Sequence, residues 1–363
     1  MKEMKDSVTK TFGILTSGGD CPGLNAAIRG VCRPAFDTYG MKIIGIANGF
    51  RGLIDDDTRE LKPEDFSGIL TLGGTILGSS REKPFGAPDK EDDIIDKVSA
   101  IKETYLKHEL DCLVVLGGNG TNTTGYKLAR EGLNVIGLPK TIDNDIFGTD
   151  KTFGFDSALY IATESIDRLH STAQSHRRVI VIELMGHKAG WLALYAGVAG
   201  GGDVILIPEI PYDIKVIADH LDKRTKSGKT FSIIVVAEGA MSIQEAHMDK
   251  KDRKKFRHDH GPSAGYRVAR EINEATGMET RATVLGYVQR GGSPSASDRI
   301  LATSLGTVAA DLLAHGQYNR MVSLNGNDIG SVDLSIPESK VKSVPLDHYL
   351  VNTAKAVGTC MGA

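Results

Sequence analysis

The chain has 363 residues, of which 40% are hydrophobic and 25% charged, and this predicts a globular protein with room for two domains. A formal net charge of −3 gives no overall attraction for nucleic-acid phosphates, so no nucleic-acid partner is expected. The four cysteines lack CxxC spacing, the N-terminal segment MKEMKDSVTK is charged, and no apolar run is long enough to cross a membrane, so we expect a reduced cytoplasmic protein without a membrane partner.

Short apolar runs alternate with amphipathic segments from Thr11 onward, which is typical of parallel strands joined by helices. The predicted strands are residues 11–16, 41–47, 112–117, 134–138, 178–184, 203–208, 230–238 and 281–286. The predicted helices are residues 23–38, 92–108, 122–131, 156–173, 188–199, 213–227, 264–275 and 297–314. Residues 242–262 carry many charges and little apolar periodicity. The basic residues between Lys250 and Arg257 could form a phosphate-binding arm, but we favour a solvated, mobile loop and assign the segment no role. The fold class is therefore α/β throughout.

Ligands of parallel α/β sheets bind beyond the carboxyl ends of the strands, so the segments after the predicted strands are the candidates for function. Two of them, SGGDCPG at 17–23 and GGNGT at 117–121, place adjacent glycines between a strand and a helix. Such glycines let backbone N–H groups close on an anion, although a plain βα turn explains either loop alone. Neither loop matches the Walker A or the GxGxxG pattern. Together the two loops predict phosphate binding.

A third segment, PKTIDND at 139–145, carries Asp143 and Asp145 one residue apart. In extended backbone both carboxylates can point to the same side, one as a base and one near a metal; the plainer alternative is a turn that caps the next helix. Guanidinium groups suit bidentate recognition of phosphate. Those at or near predicted strand ends or loops are Arg81, Arg178, Arg281 and Arg290. With the two glycine loops, they indicate two phosphorylated ligands and a phosphoryl-transfer site.

The chain resembles the phosphofructokinases over nearly its whole length. The motifs that carry the resemblance are LTSGGDCPGLNAAIRG at 15–30, LGGNGT at 116–121, GLPKTIDNDIFGTD at 137–150, VIELMGHKAGWLA at 181–193, AEGA at 237–240 and ETRATVLGYVQRGGSPSASDR at 279–299. NAD kinases and diacylglycerol kinases share a GGxGT loop but are not expected to have the TIDND or RGGSP block. The resemblance implies phosphoryl transfer to the 1-hydroxyl of fructose 6-phosphate, a step of glycolysis.

The resemblance also implies two Rossmann-like parallel-sheet domains with helices on both faces and the active site in the cleft between them. We expect a larger, donor-binding domain from residues 10–154 and 289–325. The smaller domain, which binds fructose 6-phosphate, is expected from residues 155–288 and 326–363. The expected active form is a homodimer or homotetramer with shared active sites, because Arg178 and Arg281 would come from a neighbouring subunit.

The resemblance implies roles for those residues of this sequence that match functional positions of the family. Asp143 would take the hydroxyl proton, Thr141 would contact the transferring group, and Asp145 would help to position Mg²⁺ and the acceptor. The positions that would hold the donor phosphates are Gly18, Arg81, Gly117, Gly118, Gly120, Thr121 and Lys140. The positions that would hold the sugar phosphate are Thr141, Asp143, Arg178, Met185, Gly186, Glu238, Arg281, Tyr287 and Arg290. The cofactor Mg²⁺ would be held by Asn119 and Asp145.

Some positions depart from the family pattern. Asn119 replaces an aspartate of the common bacterial ATP enzymes, so it should hold Mg²⁺ less strongly. His187 replaces an arginine that often supports the transition state, and Tyr287 replaces a histidine of the sugar-phosphate pocket. Arg29 and Arg33 match effector-site arginines, but Asp57 stands where another is usual. A carboxylate there would repel phosphorylated effectors, so that regulation is not expected.

Two positions bear on the phosphoryl donor, and they disagree. Gly120 is typical of ATP enzymes, whereas enzymes that use pyrophosphate carry an aspartate there that excludes the nucleotide α-phosphate. Lys140 is typical of pyrophosphate enzymes. Since a blocking carboxylate acts through both shape and charge, its absence favours ATP. The alternatives are a pyrophosphate or dual-donor enzyme, activity on another sugar phosphate such as sedoheptulose 7-phosphate, and a non-catalytic sugar-phosphate-binding regulatory protein.

Overall fold

A computed structural model of the protein describes residues 7–86, 96–338 and 340–363. Its strands are β1 (Thr11–Thr16), β2 (Lys42–Ile46), β3 (Thr58–Glu60), β4 (Cys112–Gly117), β5 (Val135–Pro139), β6 (Val179–Leu184), β7 (Val204–Leu206), β8 (Ser232–Ala237), β9 (Thr280–Val284), β10 (Arg320–Asn325) and β11 (Asp328–Asp333). Its α-helices are α1 (Leu24–Asp37), α2 (Phe50–Asp55), α3 (Lys97–Lys107), α4 (Asn119–Arg130), α5 (Phe155–His176), α6 (Trp191–Ala199), α7 (Ile214–Lys226), α8 (Ile243–His247), α9 (Lys250–His260), α10 (Ala264–Thr276), α11 (Ala296–Ala314) and α12 (Tyr349–Ala356). The predicted α/β class is confirmed.

The first of two compact units is drawn from Met1–Ile142, Ile146–Ser157 and Arg290–Val341. Its sheet has the strand order β11-β10-β5-β4-β1-β2-β3. The pairs among β10, β5, β4, β1 and β2 are parallel, whereas β3 and β11 join the two edges antiparallel. Strands β4 and β5 are buried along their whole length, as expected of central parallel strands covered on both faces.

The second unit is drawn from Asp143–Asp145, Ala158–Gln289 and Lys342–Ala363. Its sheet is parallel throughout, with the order β7-β8-β6-β9. Strands β6 and β8 are wholly buried, and their apolar side chains form a core with α7 and α10 that includes Val181, Ile234, Leu221 and Val268. Strand β9 is the partly exposed edge of this sheet.

Every predicted strand is present, and each predicted helix matches a helix with shifted ends. Residues 92–95 of the predicted helix at 92–108 lie outside the described residues. The sequence reasoning missed α2, β3, α12 and the hairpin of β10 and β11. That hairpin corrects the predicted domain boundary: β11 pairs antiparallel with β10, so 326–341 belong to the first unit and not to the second.

The interpretation of residues 242–262 as a loop is wrong, because α8 and α9 lie there. Helix α8 begins with a capping box between Ser242 and Glu245, and Asp249 caps α9 by accepting from the backbone N–H of Asp252 at 2.8 Å. Helix α9 buries none of its residues, so it has no apolar stripe for sequence periodicity to detect. Polar contacts hold it instead, including Arg257 Nε to Glu245 Oε1 at 3.2 Å.

Helices α1 and α11 touch backbone to backbone at a pair of glycines. A Cβ on Gly306 would lie 2.7 Å from the carbonyl carbon of Gly30 and 2.8 Å from Ala27 O. We therefore expect Gly306→Val to lower the free energy of unfolding by about 1–3 kcal/mol, as overpacking does, in chemical denaturation. Gly330→Val is the matched control, since a Cβ there meets no atom of the described residues within 4 Å. Equal stability of the two variants would contradict the close contact.

None of the helices in the described ranges combines the length and the apolar character that crossing a bilayer requires.

Candidate active site

The two glycine-rich loops lie side by side at one edge of the first sheet. Strands β1 and β4 are parallel neighbours, so the loops that follow them leave the sheet at the same carboxyl edge. The hydroxyl of Thr121 donates to the carbonyl oxygen of Ser17 at 3.3 Å and ties one loop to the other. The positive φ of Gly18, 86°, is a conformation that favours glycine. The two loops that are predicted to bind phosphate are thus adjacent and linked by a hydrogen bond.

Lys140 lies between these loops. It follows β5, which pairs with β4, and its backbone N–H donates to the carbonyl oxygen of Gly117 at 3.0 Å. Its ammonium group donates to the carbonyl oxygen of Gly19, and a Cβ built on Gly18 would lie 3.7 Å from Nζ. With only 3% of its surface exposed, Lys140 places a buried positive charge where both loops meet.

The start of α4 presents Asn119, Gly120 and Thr121. Gly118 is the N-cap of this helix, so the first-turn amides and the positive end of the helix dipole lie at the edge of the sheet. A Cβ on Gly120 would meet no atom of the described residues within 4 Å, whereas one on Gly117 would overlap Thr121. Open space at Gly120 and close packing at Gly117 distinguish two glycines that look alike in the sequence.

A cleft of about 450 Å³ opens beside the first glycine loop. Its lining residues are Gly18, Gly19, Asp20, Gly74, Thr75, Ser79, Ser80 and Arg81. The hydroxyl of Ser79 donates to Gly18 O at 2.7 Å, and the N–H of Gly18 donates to Ser80 O at 2.9 Å. The sequence reasoning named Gly18 and Arg81 but missed the serines, whose short polar segment lies outside every predicted element.

Arg290 belongs to the first unit and contacts the first glycine loop. Its Nη1 donates to the carbonyl oxygen of Asp20 at 3.1 Å, and a side chain on Gly19 would overlap its guanidinium group. The resemblance assigns Arg290 to the sugar phosphate. In this structure it lies against the loop that was assigned to the donor.

The residues between Ile142 and Ile146 belong to the second unit. Asn144 has a left-handed φ of 51°, so the extended backbone assumed for the Asp143–Asp145 segment is wrong at its centre. Asn144 and Asp145 are buried, whereas Asp143 is half-buried. Thr141 belongs to the first unit, where its carbonyl oxygen accepts from the hydroxyl of Thr152 at 2.8 Å.

A larger cavity, about 610 Å³, lies in the second unit beyond the carboxyl ends of β6 and β8. Its lining residues are His187, Lys188, Pro208, Glu209, Glu238, Gly239, Met241, Arg253, Arg257 and Ser343. The backbone N–H of His187 donates to Glu238 Oε1 at 2.7 Å and joins the loops after the two strands. Met185 and Gly186 lead from β6 into this contact, and Gly186 has a φ of 143°.

Three side chains that line this cavity are cationic: Lys188, Arg253 and Arg257. None of the three is among the residues that the sequence predicts for the site. The two arginines lie on α9, whose segment had been assigned no role. Arg253 donates from Nε to Glu245 O at 2.9 Å and from Nη2 to Met248 O at 2.9 Å. The basic run of α9 is therefore part of the wall of a cavity.

Arg178, Arg281 and Tyr287 lie away from this cavity, at β9 and the segments beside it. Both guanidinium groups contact Glu279 Oε1, Arg178 at 2.8 Å and Arg281 at 2.6 Å, and they hold the pKa of that carboxyl below its usual range. Tyr287 is 75% exposed. Within one chain, the structure does not bring these three residues together with Glu238.

The described part of the chain contains no group of three or more histidine, cysteine, aspartate or glutamate side chains that could hold a metal ion. The two predicted metal ligands, Asn119 and Asp145, belong to the first and the second unit respectively. An amide oxygen and a carboxylate oxygen are each ligand types that Mg²⁺ accepts in proteins.

Comparison with known proteins gives a consistent result. The family model described as phosphofructokinase matches residues 11–313. The ATP-dependent 6-phosphofructokinase of Spirochaeta thermophila is 64% identical over 99% of this chain and 99% of its own length. The pyrophosphate–fructose 6-phosphate 1-phosphotransferase of Amycolatopsis methanolica is 46% identical over 93% of this chain and 97% of its own length. The solved structure of Pichia pastoris phosphofructokinase superimposes with a TM-score of 0.78 at 32% identity and covers 97% of this chain and 37% of that one.

Proposed function

The chain belongs to the phosphofructokinase family, and on that premise we propose that it is a 6-phosphofructokinase that transfers a phosphoryl group from ATP to the 1-hydroxyl of fructose 6-phosphate. The observation that carries the proposal is the meeting of both glycine loops around the buried ammonium group of Lys140. Backbone amides, a helix N-terminus and a desolvated cation together suit polyphosphate oxygens. The product would be fructose 1,6-bisphosphate, as in glycolysis.

We assign the donor phosphates to the first unit. Gly18, Gly118, Gly120 and Thr121 would offer backbone or hydroxyl hydrogen bonds, and Gly117 would allow the close packing of the second loop. Lys140 and Arg81 would add positive charge. The protein forms no covalent bond to the substrates in a direct phosphoryl transfer. Most of the catalysis would therefore come from alignment of the donor and acceptor and from neutralisation of the phosphate charge. Asn119 and Asp145 would hold Mg²⁺, whose chemistry is to draw negative charge from the phosphate oxygens.

We assign the sugar to the second unit. Met185, Gly186 and Glu238 would hold fructose 6-phosphate at the large cavity, Asp143 would accept the proton of the 1-hydroxyl, and Thr141 would contact the transferred group. The carboxylate of Glu238 is already oriented by the N–H of His187, at 2.7 Å. An acceptor oriented in this way suits a sugar hydroxyl.

We assign the 6-phosphate to Arg178, Arg281, Tyr287 and Arg290. The first three lie apart from the cavity of their own chain, which supports the expectation that a neighbouring subunit supplies Arg178 and Arg281. An oligomer with shared active sites, a homodimer or homotetramer in the cytoplasm, stays a prediction. Sedimentation of the purified protein would test the oligomer directly.

Pyrophosphate is the second candidate donor, because Lys140 lies where a donor phosphate would bind and because one relative carries pyrophosphate in its name. Open space at Gly120 argues for ATP, since the nucleotide α-phosphate needs room that a side chain there would occupy. The name of the 64% identical relative agrees with ATP.

The donor comparison tests the proposal. With Mg²⁺ and fructose 6-phosphate, we expect kcat/KM for ATP to exceed that for pyrophosphate by about tenfold or more, which corresponds to about 1.4 kcal/mol of transition-state binding. Fructose 1,6-bisphosphate is measured directly with each donor under the same conditions. The opposite ratio would overturn the choice of donor. Binding of fructose 6-phosphate without turnover on either donor would favour the non-catalytic, regulatory alternative. Faster turnover of sedoheptulose 7-phosphate than of fructose 6-phosphate would make sedoheptulose 7-phosphate the preferred substrate.

A further inference from the structure

The segment 342–344, which we call the C-terminal strap, contacts the turn that carries Asp143 and Asp145. The backbone N–H of Lys342 donates to the carbonyl oxygen of Asp145 at 2.8 Å. Its ammonium group donates to Asn144 Oδ1 at 3.0 Å. Lys342 thus contacts the turn twice, with its backbone N–H on the backbone of Asp145 and with its side chain on the side chain of Asn144. These residues all belong to the second unit.

The turn needs such support because of its conformation. Asn144 has a φ of 51°, a region that is strained for most residues with a side chain and that asparagine tolerates better than most. The backbone angle of Asn144 is one of the angles that set how the peptide units of Asp143 and Asp145 are oriented relative to each other. A contact that restrains Asn144 therefore restrains the turn that carries both carboxylates.

The strap is itself anchored by buried groups. The indole N–H of Trp191, a residue only 6% exposed, donates to Lys342 O at 2.7 Å, and Lys342 Nζ lies 5.6 Å from the centre of the indole ring. Two residues after Lys342, the N–H of Val344 donates to Glu209 Oε1 at 2.9 Å. The same carboxylate oxygen accepts from the N–H of Gly190 at 2.9 Å. Gly190 is the N-cap of α6, so the strap is fixed to the start of a buried helix.

We propose that Lys342 is a positioning residue for phosphoryl transfer: through Asn144 and the backbone of Asp145, it holds the turn in the geometry in which Asp143 meets the acceptor hydroxyl. This inference rests on the proposed function. Lys342 acts through the turn, so its loss should reduce turnover more than it weakens substrate binding.

Lys342→Met is the decisive variant, because methionine keeps an apolar stem against Trp191 and removes the ammonium group. We expect kcat to fall about tenfold with the KM for fructose 6-phosphate changed by less than about twofold, as a small misplacement of a reacting group would cause. Lys342→Arg should recover most of the loss, since a guanidinium can still donate to Asn144. The matched control is Lys340→Met, the same chemical change two residues away on an exposed side chain whose ammonium lies over Phe147.

A double-mutant cycle tests the route through Asn144. Glycine accepts a φ of 51° without strain but lacks the amide oxygen, so Asn144→Gly should lower kcat by itself. On that background Lys342→Met should add less than about a twofold loss, because the contact has already been removed. Full additivity of the two losses would overturn the proposal. So would a rise in KM at unchanged kcat, which would make Lys342 a ligand-binding residue.

A readout that needs no turnover comes from Trp191, the single tryptophan of the chain. Its emission should change in Lys342→Met and stay as in the unaltered protein in Lys340→Met. Unchanged Trp191 emission in both variants would contradict the contact between the Lys342 side chain and the indole ring. If the unaltered protein has no activity with either donor, the proposed function fails and with it the role in turnover. If it is active and Lys342→Met has normal kcat, this inference alone fails.

Discussion

Replacement of Asp143 by asparagine is expected to lower kcat by about 10²- to 10⁴-fold, the usual contribution of a general base. Asparagine is nearly the same size as aspartate but cannot take a proton at neutral pH. Asp143 is one of several residues proposed to hold the sugar phosphate, and asparagine can still accept a hydrogen bond there, so the KM for fructose 6-phosphate should change by less than about threefold. Steady-state kinetics with saturating donor would measure both constants. The serine variant of Asp143, which also removes the carboxylate, should show the same pattern.

Asp150→Asn is the matched control for this experiment. Asp150 is an exposed carboxylate of the same sequence block, 137–150, and its Oδ2 accepts from the N–H of Gly326 at 2.6 Å. An amide oxygen can accept the same hydrogen bond, so this variant should keep normal turnover. Near-normal kcat in Asp143→Asn would exclude Asp143 as the base. An equal loss in both variants would indicate damage to the segment and not the loss of a proton acceptor.

Gly120→Asp is expected to reverse the choice of donor. Open space surrounds the position where its Cβ would be, so the side chain fits, but a carboxylate at the start of α4 would lie where the nucleotide α-phosphate is proposed to bind. Opposing like charges cost several kcal/mol, so kcat/KM for ATP should fall by about 10²-fold or more. Pyrophosphate lacks the nucleotide α-phosphate that the new carboxylate would repel. The kcat/KM for pyrophosphate should therefore change by less than about threefold.

The stability of this variant separates a donor effect from a folding effect. Gly120 lies in the first turn of α4, where a carboxylate interacts favourably with the helix dipole by about 0.3–1 kcal/mol. Gly120→Asp should therefore melt at the same temperature as the unaltered protein or slightly higher. Gly120→Ser, which adds volume without charge, should lose less ATP activity. Parallel losses with ATP and pyrophosphate would contradict donor selection at this position.

Much of the fold was readable from the sequence because its signals are local. Continuous apolar runs such as those of β4 and β6 mark strands buried on both faces, and glycines after β1 and β4 mark the phosphate-type turns. The elements that were missed lack these signals. Helix α9 has no buried face, and the hairpin of β10 and β11 forms an edge whose pairing depends on a distant partner, β5.

The candidate site divides in the same way. The sequence alone identified which residue types follow each strand, including Gly120, Lys140, Asp143 and Glu238. This was possible because each of these residues stands within a few positions of the end of a predicted strand. It could not show that Lys140 is buried against Gly19, or that Gly120 faces open space while Gly117 is closely packed. Those are properties of neighbours that are distant in the chain.

By itself, then, the sequence determined the α/β class, the family and the set of segments that carry the chemistry. Only the tertiary structure decided that α9 supplies Arg253 and Arg257 to the large cavity, and that Lys342 reaches the turn of Asn144 from almost 200 positions further along the chain. The physical reason is the range of the interactions. Hydrophobic periodicity and turn preferences act over a few residues and leave a trace in the sequence, whereas packing and hydrogen bonds between distant segments arise only once the chain has folded.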